Sequence, residues 1–378
     1  MKLSKAISIS LILVFMSLSV KSAVENNPSN LDKKDILYVM TNVANWQIDN
    51  FHLVKHPAQD WTNAALYIGM MEWAKIANDQ KYLDWLYAIG NQFEWQPFNR
   101  LYHADDISIS QMFLEMYTLR TEDSRRYRIL GPTQARLDYV IAHPSSGSLL
   151  LNYDDPQTLE RWSWCDALFM APPVYTKMAR ILKDDKYLAF MDKEFKVTYH
   201  FLFDKDANLF YRDHRYFPEL TLEKNGEKIF WGRGNGWVMG GLVAILKDLP
   251  KDSKYSAFYK ELYLAMASVI PNYQDEAGLW HASLLDPTSF PHPETSSSSF
   301  FCYALAAGIN MGLLDRKTYT PIVTKAWEAL VNMVNSEGKL GWVQPIGQDP
   351  KEVTSEMTEV YGVGAFLLAG TEIFKLID

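Results

Sequence analysis

The stretch Gln59-Asp60-Trp61-Thr-Asn-Ala-Ala-Leu-Tyr-Ile-Gly-Met-Met-Glu-Trp-Ala-Lys-Ile-Ala77 repeats its apolar residues with a helical period. Ala65, Ile68, Gly69, Trp73 and Ile76 fall near one face of a 3.6-residue turn. Asp60 stands just ahead of the run, in a polar stretch unusual for a plain loop. Working outward, similar runs recur to the end of the chain, and runs of alternating strand pattern are few. Helices are expected near 33–51, 61–79, 81–94, 106–120, 123–142, 164–183, 185–203, 236–248, 253–272, 295–312, 317–335 and 355–376. Every second one follows a polar or glycine-rich stretch. These are Gln59-Asp60-Trp61, His103-Ala104-Asp105-Asp106, Arg161-Trp162-Ser163-Trp164, Trp231-Gly-Arg-Gly-Asn-Gly236, Glu294-Thr-Ser296 and Thr354-Ser-Glu356. The others share a different opening, as in Asp79-Gln-Lys-Tyr-Leu83, Asp184-Asp-Lys-Tyr-Leu188 and Asp252-Ser-Lys-Tyr255, with an acidic cap and an inward tyrosine.

This alternation reads as six helical hairpins. The expected fold is all-α, an (α/α)6 toroid with six inner helices around an axis and six outer helices around them. The six polar stretches then converge at one end. An open helical solenoid is the alternative, and it would not gather those stretches into one cleft.

The N-terminus reads as a secretory signal peptide over 1–22, with Lys2 and Lys5 ahead of an apolar core and small residues near Ser22. Residues 23–378 then form a single catalytic domain, and the expected location is secreted or periplasmic. No later run is long and apolar enough to span a bilayer. With 45 acidic against 37 basic residues, the surface repels nucleic acid. Cys165 and Cys302 lie in apolar segments and are expected as buried thiols. No CxxC, HExxH or P-loop pattern is present, and no metal or other cofactor is expected. Asp204-Lys-Asp-Ala-Asn208 mimics a calcium loop, but Leu209 and Arg215 stand where glycine and glutamate belong, so a turn before a short strand is expected.

Trp231-Gly-Arg-Gly-Asn-Gly-Trp237 is the most informative string for chemistry. Its glycines allow a tight turn and close approach to a ligand, Arg233 offers a carboxylate-binding fork, and Trp231 and Trp237 offer stacking faces. Asp166, after Trp164-Cys165, opens an apolar helix where desolvation favours a proton donor. Of Asp105 and Asp106, one caps a helix and the other faces the axis. A carboxyl pair at adjacent inner-helix entrances suits glycoside chemistry.

On Trp231–Trp237, Trp164-Cys-Asp166, Asp105-Asp106 and Glu294-Thr-Ser296, nearly the whole chain after the leader resembles glycoside hydrolase family 105, the unsaturated rhamnogalacturonyl hydrolases. The related family 88, unsaturated glucuronyl hydrolases, shares the architecture. The resemblance implies an oligosaccharide substrate made by a lyase, with a 4,5-unsaturated uronic acid at its non-reducing end. An aspartate protonates C4 of the vinyl ether, water adds at C5, and the hemiketal rearranges to release the aglycone. By resemblance Asp166 matches the general acid/base and Asp106 the second aspartate. Trp164, Trp231, Arg233 and Trp237 match the binding site, with Asp60 and Trp61 at the first inner-helix entrance as further substrate contacts. After the Leu209-Phe-Tyr211 turn, members often carry His-Gly-Trp. Here Arg212 stands in place of that histidine and His214 follows two positions on, so both are candidate substrate contacts. The rivals are an unsaturated glucuronyl hydrolase on another acidic polysaccharide, another (α/α)6 sugar enzyme, and a binding protein with a decayed site.

Overall fold

The computed structural model describes residues 31–250 and 252–377, so the expected leader at 1–22 lies outside the described residues. Residues 32–378 form one compact unit. Its helices are α1 (Lys33–Asp49), α2 (Trp61–Ala77), α3 (Gln80–Gln92), α4 (Ala104–Ile107), α5 (Ser110–Leu119), α6 (Tyr127–Ala142), α7 (Ala167–Met170), α8 (Pro172–Leu182), α9 (Asp185–Leu202), α10 (Gly232–Asp248), α11 (Ser256–Val269), α12 (Thr295–Asn310), α13 (Arg316–Val331) and α14 (Val360–Leu376).

Contacts close a ring: α2 on α5, α5 on α8, α8 on α10, α10 on α12, α12 on α14, and α14 back on α2. Outside it, α1 covers α14 and the edge of α2, α3 covers α2, α6 covers α5, α9 covers α8, α11 covers α10, and α13 covers α12 and α14. This is the expected (α/α)6 toroid. Burial follows from the layering: all of α12 except its last residue, Asn310, and nearly all of α14 are buried, as befits helices walled on every side, whereas α6 and α13 bury one stripe. The α2–α14 crossing is close because both helices place glycine there. A Cβ on Gly69 would lie 2.1 Å from the Gly364 carbonyl oxygen.

Two inner helices are broken at their N-terminal ends, which the periodicity did not foretell. Ser108 and Ile109 separate α4 from α5, and Ala171 separates α7 from α8, where Pro172 and Pro173 open the new helix. The short pieces α4 and α7 lie at the end where the inner-helix entrances meet. A two-stranded hairpin, β1 (Phe203–Asp204) and β2 (Leu209–Phe210), fills the position read as a turn and short strand. Asp204 accepts from Tyr211 Oη and Lys228 Nζ, each at 2.6 Å, and from the Asp206 and Ala207 N–H groups. Both cysteines are free and buried.

The opposite end of the ring holds a 280 Å³ cavity of alternating charge among the C-terminal halves of the inner helices. Lys177 bridges Glu115 and Asp248, Lys75 bridges Glu72 and Glu115, and Lys247 and Lys375 share Glu372. Burial pushes Glu115 and Glu372 up, but their lysines outweigh it and hold both at about 2. Cations there oppose the negative ends of the inner-helix dipoles.

Candidate active site

The inner-helix entrances surround a cavity of about 360 Å³, a volume within the range of small-ligand sites. Asp60, Trp61, Arg100, His103, Asp105, Tyr153, Trp164, Asp166, Arg212 and Trp231 line it, with Ile346 to Gln348 as one wall. Among the expected residues, Asp60, Trp61, Trp164, Asp166, Arg212 and Trp231 therefore come together. Asp106, Arg233, Trp237 and His214 do not line it, and each has a physical reason.

Asp106 does not line the cavity, and its neighbour Asp105 does. Neighbours on a helix point about 100° apart, so Asp105 faces the cavity while Asp106 turns beneath it. Asp106 accepts from Arg100 through Nε at 3.0 Å, Nη2 at 2.5 Å and the main-chain N–H at 2.6 Å. Asp105 keeps 17% of its side chain accessible. Burial pushes its carboxyl up to about 8, against the pull of Arg100 and with the added push of Asp166, Asp60 and Asp106. It is thus protonated at neutral pH. His103 caps α4, its Nδ1 accepting the Asp105 N–H at 3.2 Å, and its ring packs 5.0 Å from Trp164. Burial and Arg100 push the imidazole down to about 3, so it is neutral, and the accepting Nδ1 leaves the proton on Nε2.

Asp166 sits immediately ahead of α7. Arg212 Nε lies 3.4 Å from Asp166 Oδ2, and the Cys165 thiol lies 3.5 Å from the same oxygen. Arg212 arrives on the segment after β2, whose carbonyl accepts from Cys165 N–H at 2.8 Å. Its Nη1 donates to Asp213 at 2.8 Å and to Tyr153 Oη at 3.1 Å.

The glycine-rich string is helical from Gly232, not a turn. Its glycines admit neighbours: a Cβ on Gly232 would meet the His281 carbonyl at 2.6 Å, and one on Gly236 would meet Phe300 Cβ at 2.9 Å. Arg233, 1% exposed, donates to the carbonyls of Gln344 at 2.6 Å and Pro345 at 2.9 Å, between the rings of Trp231 and Tyr361. Asn235 pairs with both the N–H and the carbonyl of Phe210. The string is therefore a clamp. Arg233 holds the wall that carries Ile346–Gln348, and Asn235 holds the hairpin that carries Arg212. Glu294 completes the wall by accepting Gln344 N–H at 2.9 Å. Trp237 is wholly buried among Phe169, Phe300, Trp61 and Tyr361. His214 Nδ1 accepts the Leu151 N–H at 3.1 Å, a loop-bracing contact.

His103, Asp105, Arg100 and Tyr153 were not singled out from the sequence as site residues. The first two stand in the quoted entrance string, where the start of α4 at Ala104 decides which side chain faces inward. Arg100 and Tyr153 lie in loops without periodicity, and the Ile346–Gln348 wall carries no motif.

The chain matches the description Glycosyl Hydrolase Family 88 over residues 38–377. It is 39% identical over 368 residues to an unsaturated 3S-rhamnoglycuronyl hydrolase of Formosa agariphila, covering 96% of this chain and 95% of that one. It is 34% identical over 350 residues to an unsaturated 3S-rhamnoglycuronyl hydrolase of an Alteromonas species, covering 87% and 83%. A solved structure named as a polysaccharide lyase superposes with a TM-score of 0.81 at 30% identity, covering 91% of this chain and 97% of that one. The match along nearly its whole length, on a toroid with three carboxyl groups at its mouth, places this chain in Glycosyl Hydrolase Family 88 as a glycoside hydrolase.

Proposed function

We propose that the protein releases a 4,5-unsaturated uronic acid from the non-reducing end of lyase-generated oligosaccharides by hydrating the vinyl ether. The observation that carries this is the pair Asp105 and Asp166 on one cavity, the first with its carboxyl pushed up by burial and the second beside the Arg212 guanidinium, among Trp61, Trp164 and Trp231. Protonation of C4 leaves a cation shared by C5 and the ring oxygen. Water adds to C5, and its proton returns to the carboxylate that gave one. The hemiketal opens to a C5 ketone, C1 becomes a hemiacetal, and the aglycone departs with its oxygen protonated. Asp166 is the group that exchanges protons, and Asp105 is the second carboxyl group beside the cation. Trp faces hold the ring, and the neutral His103 supplies an Nε2–H donor.

For the aglycone, the names of the two relatives favour a rhamnose sulfated at O3 over the rhamnogalacturonan product expected from the resemblance. Both readings keep a uronyl–rhamnose linkage. The test follows the absorbance of the conjugated C4=C5 bond with lyase products from a sulfated rhamnose-containing polysaccharide and from rhamnogalacturonan. Loss of absorbance, faster on the sulfated product, is the expected result. A gain of absorbance on intact polysaccharide is the lyase result and refutes hydration.

A further inference from the structure

The stripe that α1 buries runs through Ile36, Met40, Val43 and Ala44 and then ends on Gln47, where the period calls for a further apolar residue. Gln47 is 3% exposed, and among the described residues its side-chain amide has no hydrogen-bond partner. A buried amide left unpaired costs folding free energy, so the position calls for a partner that the chain does not supply. Gln47 lines a cavity of about 450 Å³, larger than the catalytic one and within the range of small-ligand sites. Thr358 lines the same cavity, and its Oγ1 is buried and equally unpartnered. The two cavities draw on the same two stretches of chain but share no lining residue. Val54 to His56 line this one, and Asp60 and Trp61 line the catalytic one. Glu359 and Val360 line this one, and the next residue, Tyr361, stacks on Trp61 at 5.3 Å.

We propose that this cavity is a second carbohydrate site, outside the catalytic one, and that it takes one neutral pyranose unit. Trp46 lines it and supplies a flat apolar surface for the C–H face of a sugar ring. The Gln47 amide both donates and accepts, and so does the Thr358 hydroxyl. Glu359 is held through Oε2 by His56 Nε2 at 3.2 Å, which leaves Oε1 to accept from a hydroxyl. A neutral sugar presents an apolar face and a rim of hydroxyls, each able to donate and to accept, so it answers every one of these groups. An anionic ligand fits less well. It would face the Glu359 carboxyl group, and at the rim Lys339 already donates to the carbonyl and carboxyl group of Glu356 while Lys55 is exposed.

The test follows fluorine NMR spectra of the full chain labelled with 5-fluorotryptophan, in which the Trp46 resonance is the one missing from Trp46→Phe. L-Rhamnose, D-xylose and D-glucose are titrated to tens of millimolar, with sodium glucuronate and sodium sulfate as charged probes. The expected result is a saturable shift of the Trp46 resonance with at least one neutral sugar, and a smaller response to either charged probe. Asp166→Asn is expected to bind that sugar as wild type does. Gln47→Leu and Thr358→Val remove no hydrogen bond within the fold. Each is expected to weaken binding by about tenfold, the scale of one hydrogen bond lost from a buried group. Thr358→Val decides alone if Gln47→Leu does not fold. A Trp46 resonance that none of the three sugars moves overturns the proposal, as does binding that the cavity variants leave intact. A shift confined to the resonances missing from Trp61→Phe, Trp164→Phe or Trp231→Phe puts the sugar in the catalytic cavity and overturns it too. A larger response to glucuronate or sulfate than to the neutral sugars overturns the assignment of a neutral ligand.

Discussion

Replacing Asp105 by Asn removes a carboxyl group that folding holds protonated, so stability and activity are expected to move in opposite directions. The group titrates near 3.8 when free and near 8 in the folded chain. Below about pH 4 both states carry the proton and the group is neutral in the balance. From there to about pH 8 the unfolded chain sheds the proton while the folded chain keeps it. Each pH unit in that window then favours unfolding by about 1.4 kcal/mol. At pH 7 the ceiling is about 4 kcal/mol, and about 2–4 kcal/mol is expected after solvent reaching the cavity has screened part of it. Asp105→Asn is therefore expected to gain that stability at pH 7–8 and little at pH 4, while turnover falls by about 10²-fold or more. Asp106→Asn is the contrast. It breaks a buried contact to Arg100 and is expected to lose about 2–4 kcal/mol. Urea melts of the three proteins at pH 4.5 and 7.5, with absorbance assays at the same pH values, give both quantities. If Asp105→Asn is no more stable than wild type at pH 7.5, the carboxyl is not held protonated in the folded chain.

Arg233→Lys is expected to lose about 1–3 kcal/mol, because a single ammonium nitrogen lacks the planar fork that sets Nη1 on the Gln344 carbonyl and Nη2 on that of Pro345; unchanged melts and unchanged proteolysis of the 344–348 wall would contradict the clamp. His214→Ala is expected to keep kcat within about threefold, since its contact is to the Leu151 main chain; a hundredfold loss would return it to the site. Saturated disaccharides of the same sugars offer no double bond to protonate and are expected to react more slowly by at least about 10³-fold; comparable cleavage of both would favour an ordinary glycosidase with carboxyl groups flanking C1. Activity is expected to survive chelator, because among the described residues no cluster of three or more His, Cys, Asp or Glu side chains can hold a metal ion; loss with EDTA and return with calcium would reopen the Asp204–Asn208 turn.

The sequence by itself determined the architecture. Helical periodicity is local, being written in residues three and four apart, and the alternation of polar and acidic openings sorts inner from outer helices without knowledge of contacts. It also placed Asp166, Trp164 and Trp231, because an inner-helix entrance in such a ring faces the axis wherever else its neighbours lie. Tertiary structure decided which neighbour of a pair points inward. Asp105 and Asp106 have the same chemistry and adjacent positions, and only the start of α4 at Ala104 and the return of Arg100 from the preceding loop separate a cavity-facing acid from a buried ion-pair partner. The same holds for the two arginines. Arg233, in the most informative string, is consumed by main-chain carbonyls from residues 111 and 112 positions away in sequence. Arg212, in a plain turn, is carried to Asp166 by a hairpin that Asn235 fixes from another helix. Hydrogen-bond partners that far apart leave no period or spacing in the chain, so which charge is spent inside the fold and which lines the cavity is a property of the folded state alone.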